Sequence, residues 1–122
     1  MRYALLIYED ERQLAAASRE EVERHIQAYA AVAREMADRN ILRAGAPLRR
    51  TASATTVRIR EQQTLTTDGP FAETKEQLGG FFIVDCRDLD EAIAVAVKLP
   101  ATRIGSVEIR PIFDENAALV HT

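Results

Sequence analysis

The sequence predicts an α+β fold made of two strand–helix–strand halves joined by a β-hairpin. Two observations indicate this order. A short apolar run near the start and another in the second half have the length of buried strands, and each is followed by a capped segment with helical periodicity. Between these halves, residues 55–66 alternate polar and apolar side chains around a turn, as a hairpin does.

The first half begins with the apolar run Tyr3–Tyr8, which we expect to form a buried strand. Ser18 and Glu21 have the spacing of a capping box, which marks the start of a helix. Ile41–Leu48 then predicts a second strand, and Asn40 before it suits the left-handed residue at a helix end. The helix carries one apolar stripe, made of Val22, Ile26, Tyr29, Ala30, Ala33, Met36 and Ala37.

The second half repeats the pattern after the hairpin, whose strands are predicted at Thr55–Arg60 and Thr64–Thr66. Gly80–Cys86 predicts a central strand, and Asp88 is the expected cap of a second helix, which Pro100 would end. A final strand is predicted from residue 107 to residue 112. The buried stripe of the second helix is predicted to be Leu89, Ala92, Ile93, Ala96 and Val97.

Two such halves predict a ferredoxin-like antiparallel sheet with both helices on one face. Because two helices cannot cover both faces, the other face needs a partner. A homodimer that packs sheet against sheet is the simplest arrangement. We expect residues 1–113 to form a single domain and residues 114–122 to form a C-terminal tail.

Composition narrows the classes of function. The 16 lysines and arginines are scattered among 19 acidic residues, for a net charge of −3, so no basic face for direct nucleic-acid binding is expected. The single cysteine excludes an internal disulfide and favours a cytoplasmic protein. No apolar run has the length of a membrane span, and no signal peptide is apparent.

The loop Asp68-Gly69-Pro70-Phe71-Ala72-Glu73-Thr74-Lys75 is the most informative segment. Asp68-Gly69 is strong turn chemistry, and Pro70 can begin a short helical turn. Phe71 is an aromatic residue in a loop, while Glu73 and Lys75 bring opposite charges close together. On composition alone, the segment is equally compatible with a well-capped connection and with a functional site.

Three other residues are candidates for chemistry. His25 flanks the apolar stripe of the first helix, where an imidazole can act as a general base or pack on the core. Glu108 and Arg110 share one face of the last strand, as a cross-strand ion pair or as a clamp for an anionic ligand. His121 lies in the tail, far from His25, so no metal site and no cofactor is expected.

Residues 67–81 resemble the signature of the DGPF branch of the YCII-related proteins, and the likeness continues through residues 88–92 and 105–111. The resemblance implies a dimeric α+β barrel. In the wider YCII family, a histidine of the first helix is thought to work with an aspartate near the end of the second. His25 matches that histidine approximately, whereas Leu99 stands where relatives tend to have the aspartate, so Asp68 is a candidate replacement.

Three hypotheses follow for function. The first is a small-molecule enzyme or binder, because relatives in the wider superfamily act on small cyclic or aromatic molecules. In it His25 and Asp68 are catalytic, and Gly69, Pro70, Phe71, Glu73, Lys75 and Arg110 bind the ligand. The second is a regulatory module for an extracytoplasmic-function sigma factor, beside whose genes some members are encoded. The third is a purely architectural role for the Asp68 loop.

Overall fold

The computed structural model describes residues 1–113, which form an antiparallel four-stranded sheet with helices packed on one face. The strands are β1 Arg2–Glu9, β2 Leu42–Pro47, β5 Gln77–Asp85 and β6 Ser106–Pro111, and their order in the sheet is β2-β5-β1-β6. Counted among these four strands alone, this is the order 2-3-1-4 of a ferredoxin-like fold, so the predicted ferredoxin-like α+β fold is confirmed.

Four helices lie between these strands: α1 Glu11–Ala16, α2 Arg19–Asp38, α3 Leu89–Ala96 and α4 Ala101–Ile104. The two long-range crossovers are made by α2 and α3, as predicted, whereas the short helices α1 and α4 were not expected. The capping box of α2 is present, with the Ser18 hydroxyl accepting from the backbone N–H of Glu21. Asn40 has a φ of 57°, the left-handed conformation expected after the helix. No helix in residues 1–113 is long and apolar enough to cross a membrane.

Alternation along β1 builds the core. Tyr3, Leu5 and Ile7 point toward the helices and are buried, while the residues between them point to the opposite face. Leu5 is opposite Phe82 on β5 and opposite Ile109 on β6. The remaining buried residues come from both crossovers and from β5: Met36, Val84, Cys86, Ala92, Val95, Ala96, Leu99 and Ala101.

The buried face of α3 differs from the prediction. Ala92 and Ala96 are buried as expected, but Val95 is buried as well, and Leu89, Ile93 and Val97 are exposed. The helix is apolar on the exposed side as well as on the buried side, so apolarity alone could not identify the packed face.

The hairpin forms a separate two-stranded sheet from β3 Thr55–Arg60 and β4 Gln63–Asp68. Glu61 and Gln62 make its turn with positive φ values of 51° and 67°. The strand β4 is longer than the predicted Thr64–Thr66. Almost every residue of both strands is exposed, so the hairpin contributes little to the core.

Gly105 allows the turn before β6 to lie directly on β1. A methyl group there would be 2.1 Å from the carbonyl oxygen of Tyr8. We therefore expect Gly105→Ala to lower the free energy of unfolding by about 2–3 kcal/mol, in the range of overpacking changes. Gly79→Ala is the matched control, since nothing lies within 4 Å of its added methyl group. Denaturant unfolding measures both, and equal losses would contradict this interpretation of the turn.

Candidate functional site

A buried carboxylate ends the central strand. Glu9 continues the alternation of Tyr3, Leu5 and Ile7, so its side chain lies on the face that the helices cover. Its residue is only 6% exposed. A buried charge is costly unless it is hydrogen-bonded or paired, which means that Glu9 must have partners.

Those partners come from α2. The two carboxylate oxygens of Glu9 lie 2.8 and 3.0 Å from Nε2 of His25. The hydroxyl of Tyr29 donates to Oε2 of the same carboxylate. His25 and Tyr29 are four residues apart and therefore share one side of the helix, where their rings meet edge to face with centroids 5.0 Å apart.

The pattern of partners indicates where the protons are. Burial, and then the hydrogen bond to Glu9, raises the pKa of Tyr29, so the phenol stays neutral and donates. Both oxygens of Glu9 approach Nε2 of His25, so that nitrogen carries a hydrogen. Within residues 1–113, no hydrogen bond occupies Nδ1, and that atom is not sealed from solvent. In the neutral imidazole, Nδ1 is therefore the free base.

This trio borders a cavity of about 650 Å³ between α2 and the β2–β5 side of the sheet. The volume lies within the range of small-molecule sites. Gly45 and Gly80 form part of the sheet wall of this cavity. A methyl group at Gly45 would press on Phe82, and one at Gly80 would press on the backbone of β2. The wall is predominantly apolar and includes Ile7, Leu14, Val22, Ile26, Ala30, Ala33, Pro47 and Phe82.

A basic segment borders the same cavity after β2. Arg49 and Arg50 are exposed and lie immediately before the short 3-10 turn Thr51–Ser53. Glu11, at the start of α1, accepts hydrogen bonds from the backbone N–H of Thr51 at 2.7 Å and from its hydroxyl at 2.8 Å. The carboxylate of Glu11 thus ties the arginine segment to the end of β1.

The Asp68 loop lies elsewhere. None of residues 68–75 borders this cavity, and Phe71 is 78% exposed. The predicted helical turn at Pro70 is wrong, since residues 69–76 contain no helix. The exposed charges Glu73 and Lys75 belong to the same irregular stretch.

Backbone contacts hold the loop to the hairpin. Gly69 has a φ of 105°, which favours glycine, and its N–H donates to the carbonyl of Ala54 at 2.7 Å. Its own carbonyl accepts from the hydroxyl of Thr56 at 2.8 Å. Arg58 donates to the carbonyl of Phe71 at 3.3 Å.

Arg110, the remaining predicted ligand-binding residue, also lies outside the cavity. Nε of Arg110 is 2.8 Å from Oε2 of Glu108, so the two form an ion pair on β6. They alternate with the core residues of that strand and therefore face away from the helices. Leu99 is buried in the core, and His121 is outside the described residues. Within residues 1–113, no three His, Cys, Asp or Glu side chains come together as a metal site.

Sequence reasoning missed Glu9 as the partner of His25. The signal was available, because a charged residue in phase with Tyr3, Leu5 and Ile7 belongs to the buried face of the strand. Tyr29 was predicted only as part of the apolar stripe. Arg49 and Arg50 are adjacent in the sequence, but no pattern around them indicated a site.

These observations define a small α+β protein of ferredoxin-like fold, in which a histidine–glutamate pair borders an apolar cavity. Comparison of the sequence with known families identifies the group more closely. The chain belongs to the YCII-related domain family, whose model matches residues 1–116. It is also 45% identical over 116 residues to an uncharacterized protein of Rhizobium meliloti (strain 1021), an alignment that covers 92% of each chain.

Proposed function

We propose that the protein binds a small metabolite in the cavity beside α2 and that His25 acts on it as a general acid or base. The observation that carries the proposal is the 2.8 Å contact between His25 and a buried carboxylate at the wall of an apolar cavity of about 650 Å³. Perturbed or paired titratable groups in a concave apolar site are the usual mark of an active or binding site.

The chemistry follows from the hydrogen bonds. Nδ1 of neutral His25 takes a proton from the ligand, while Nε2–H remains directed at Glu9. The carboxylate of Glu9 stabilises the imidazolium that forms, and the neutral Tyr29 hydroxyl holds that carboxylate in place. Returning the proton from Nδ1 completes an acid–base cycle.

The carboxylate of Glu9 can take the place of the aspartate that the family resemblance led us to expect. Leu99 occupies the place where relatives tend to have the aspartate of a His–Asp pair, and it is buried. Glu9 provides a carboxylate to His25 from a different element, the end of β1. We therefore place the proposed site at the Glu9–His25 pair and not at the Asp68 loop.

For the Asp68 loop we propose a separate, structural role. Its backbone is hydrogen-bonded to Thr56 of the hairpin and to Ala54, the residue before the hairpin, which supports a structural role. Direct ligand binding by the other predicted residues would require them to reach a bound molecule from outside the cavity. These residues are Asp68, Gly69, Pro70, Phe71, Glu73, Lys75 and Arg110.

A metabolite library screened by thermal shift tests the proposal. A ligand at 100 times its Kd adds about 2.7 kcal/mol of stability, which is a shift of several degrees for a domain of this size. We expect the ligand to stabilise the wild type and Asp68→Ala but to lose most of its effect on His25→Asn. Loss of the shift in Asp68→Ala with full retention in His25→Asn would refute the assignment.

We also propose a homodimer through the face of the sheet that no helix of residues 1–113 covers. That face carries Ala4, Leu6, Tyr8 and Ile83 in register, all only half-buried in the single chain. Sedimentation equilibrium of the wild type and of Leu6→Lys tests the arrangement. A concentration-dependent dimer that the substitution abolishes is expected, and a wild type that stays monomeric at micromolar concentrations refutes it.

The sigma-factor interaction stays a prediction of the family resemblance. A pull-down with the sigma factor encoded nearest to the gene tests it, and the absence of a complex at micromolar concentrations would count against it. The matched control is the same experiment with an unrelated sigma factor.

A further inference from the structure

Four charged side chains border the cavity beside the histidine. They are two carboxylates, Glu9 and Glu11, and two guanidinium groups, Arg49 and Arg50. Glu9 and Glu11 are both committed to partners within the protein. Glu9 accepts from His25 and Tyr29, and Glu11 accepts from the backbone and the hydroxyl of Thr51. Neither carboxylate forms an ion pair with an arginine of the cavity.

Within residues 1–113, the two cations have no such partner. In this range Arg49 and Arg50 take part in no ion pair and in no side-chain hydrogen bond, although both border the cavity. Several other exposed arginines of residues 1–113 also lack an ion pair, but Arg49 and Arg50 are the arginines that border the cavity. The apolar cavity is therefore bordered by two guanidinium groups whose charge nothing in the described chain offsets.

We propose that the ligand of this cavity is an amphipathic organic anion, with its apolar body on the α2 wall and its acidic group at Arg49 and Arg50. The inference rests on the proposed function and specifies its ligand class. A guanidinium matches the geometry of a carboxylate, sulfonate or phosphate and gives strong charge-assisted hydrogen bonds. Because both guanidinium groups are exposed beside the apolar wall, they can meet the acidic group of a ligand whose apolar body lies in the cavity.

Glu11 and Thr51 are positioning residues in this scheme. Their two hydrogen bonds, 2.7 and 2.8 Å long, tie the turn that follows Arg50 to the start of α1. The backbone N–H of Glu11 in turn donates to Oε1 of Gln77 at 2.9 Å, so the same residue is also attached to β5. The arginine segment is thus held against the cavity by contacts that do not neutralise it.

A pair of fluorescent probes tests the proposal. The anion 1-anilinonaphthalene-8-sulfonate and the neutral N-phenyl-1-naphthylamine share one apolar body and differ in the sulfonate. For the folded wild type we expect the anion to bind at least about tenfold more tightly, the equivalent of one charge-assisted hydrogen bond. Arg49→Gln/Arg50→Gln should erase the preference, whereas the control Arg58→Gln/Arg60→Gln removes two hairpin charges and should keep it.

A second pair of variants locates the probes. Ala30 borders the cavity on α2, and Ala28 is exposed on the same helix away from it. Ala30→Trp should abolish binding of both probes, and Ala28→Trp should leave it unchanged. Specific binding that survives Ala30→Trp would count against the cavity itself and so against the proposed function. Equal affinity for the two probes, both lost in Ala30→Trp, overturns only the anionic ligand class.

The positioning role has its own readout. Thr51→Val removes the hydroxyl contact with Glu11 but keeps the size and shape of the side chain. We expect it to reduce the ratio of anion to neutral affinity severalfold while the affinity for the neutral probe stays the same. A parallel fall for both probes would indicate a structural effect only and would remove Glu11 and Thr51 from the scheme.

Discussion

Replacing Glu9 with alanine is expected to lower the free energy of unfolding by about 3 kcal/mol. The carboxylate is buried and accepts hydrogen bonds from His25 and Tyr29, and bonds to a charged group contribute about 1.5–3 kcal/mol each. The substitution leaves both donors without their acceptor in a partly buried site. Urea or guanidinium unfolding, followed by circular dichroism, measures the loss.

Glu35→Ala is the matched control for this prediction. The carboxylate of Glu35 on α2 also has a 2.8 Å contact, but its partner Lys98 and its own side chain are 45% and 43% exposed. Such surface pairs contribute about 0–1 kcal/mol, so little change is expected. A loss for Glu9→Ala no greater than that for Glu35→Ala would mean that the Glu9 network does not stabilise the fold.

Leu5→Ala is expected to have an equally large effect, a loss of about 3 kcal/mol. Leu5 has no exposed surface and sits at the centre of the sheet, opposite Phe82 and Ile109. Leucine-to-alanine changes in cores cost about 2–5 kcal/mol, because the transfer free energy is lost and a cavity remains. The same unfolding experiment measures it.

Leu6→Ala provides the control on the opposite face of the same strand. Leu6 is half-buried, and its side chain points away from the helices. In the single chain its truncation should cost about 1 kcal/mol, in proportion to the smaller area buried. In the proposed dimer the loss should grow with protein concentration, since folding and association are then linked. A loss for Leu6→Ala that equals that for Leu5→Ala at low concentration would contradict the core assignment.

The fold could be predicted from local patterns because each element carries its own signal. The capping box at Ser18, the cap at Asp88 and the alternation along β1 are all set by neighbours within a few residues. The packed side of α3 could not be predicted in the same way. Apolar side chains lie on the exposed side of this helix as well as on the buried side, so the periodicity does not decide which side packs on the sheet.

The candidate site was only half predictable for a related reason. His25 was identified by its chemistry and its place on the helix, but its partner lies 16 residues earlier on another element. Whether a strand end meets a particular turn of a helix depends on the crossover between them, here α1 and the residues that follow it. The Asp68 loop drew attention through a distinctive run of residues, which says nothing about the distance to His25.

The protonation state of His25 is the most direct test of the proposed acid–base pair. Long-range ¹H–¹⁵N correlation spectra of the imidazole in alkaline buffer distinguish the two neutral tautomers, and His25→Gln assigns the signals against His121. We predict hydrogen on Nε2, facing Glu9, with Nδ1 unprotonated, and a loss of that preference in Glu9→Ala. A neutral His25 that carries its hydrogen on Nδ1, or a tautomer indifferent to Glu9, would contradict the account.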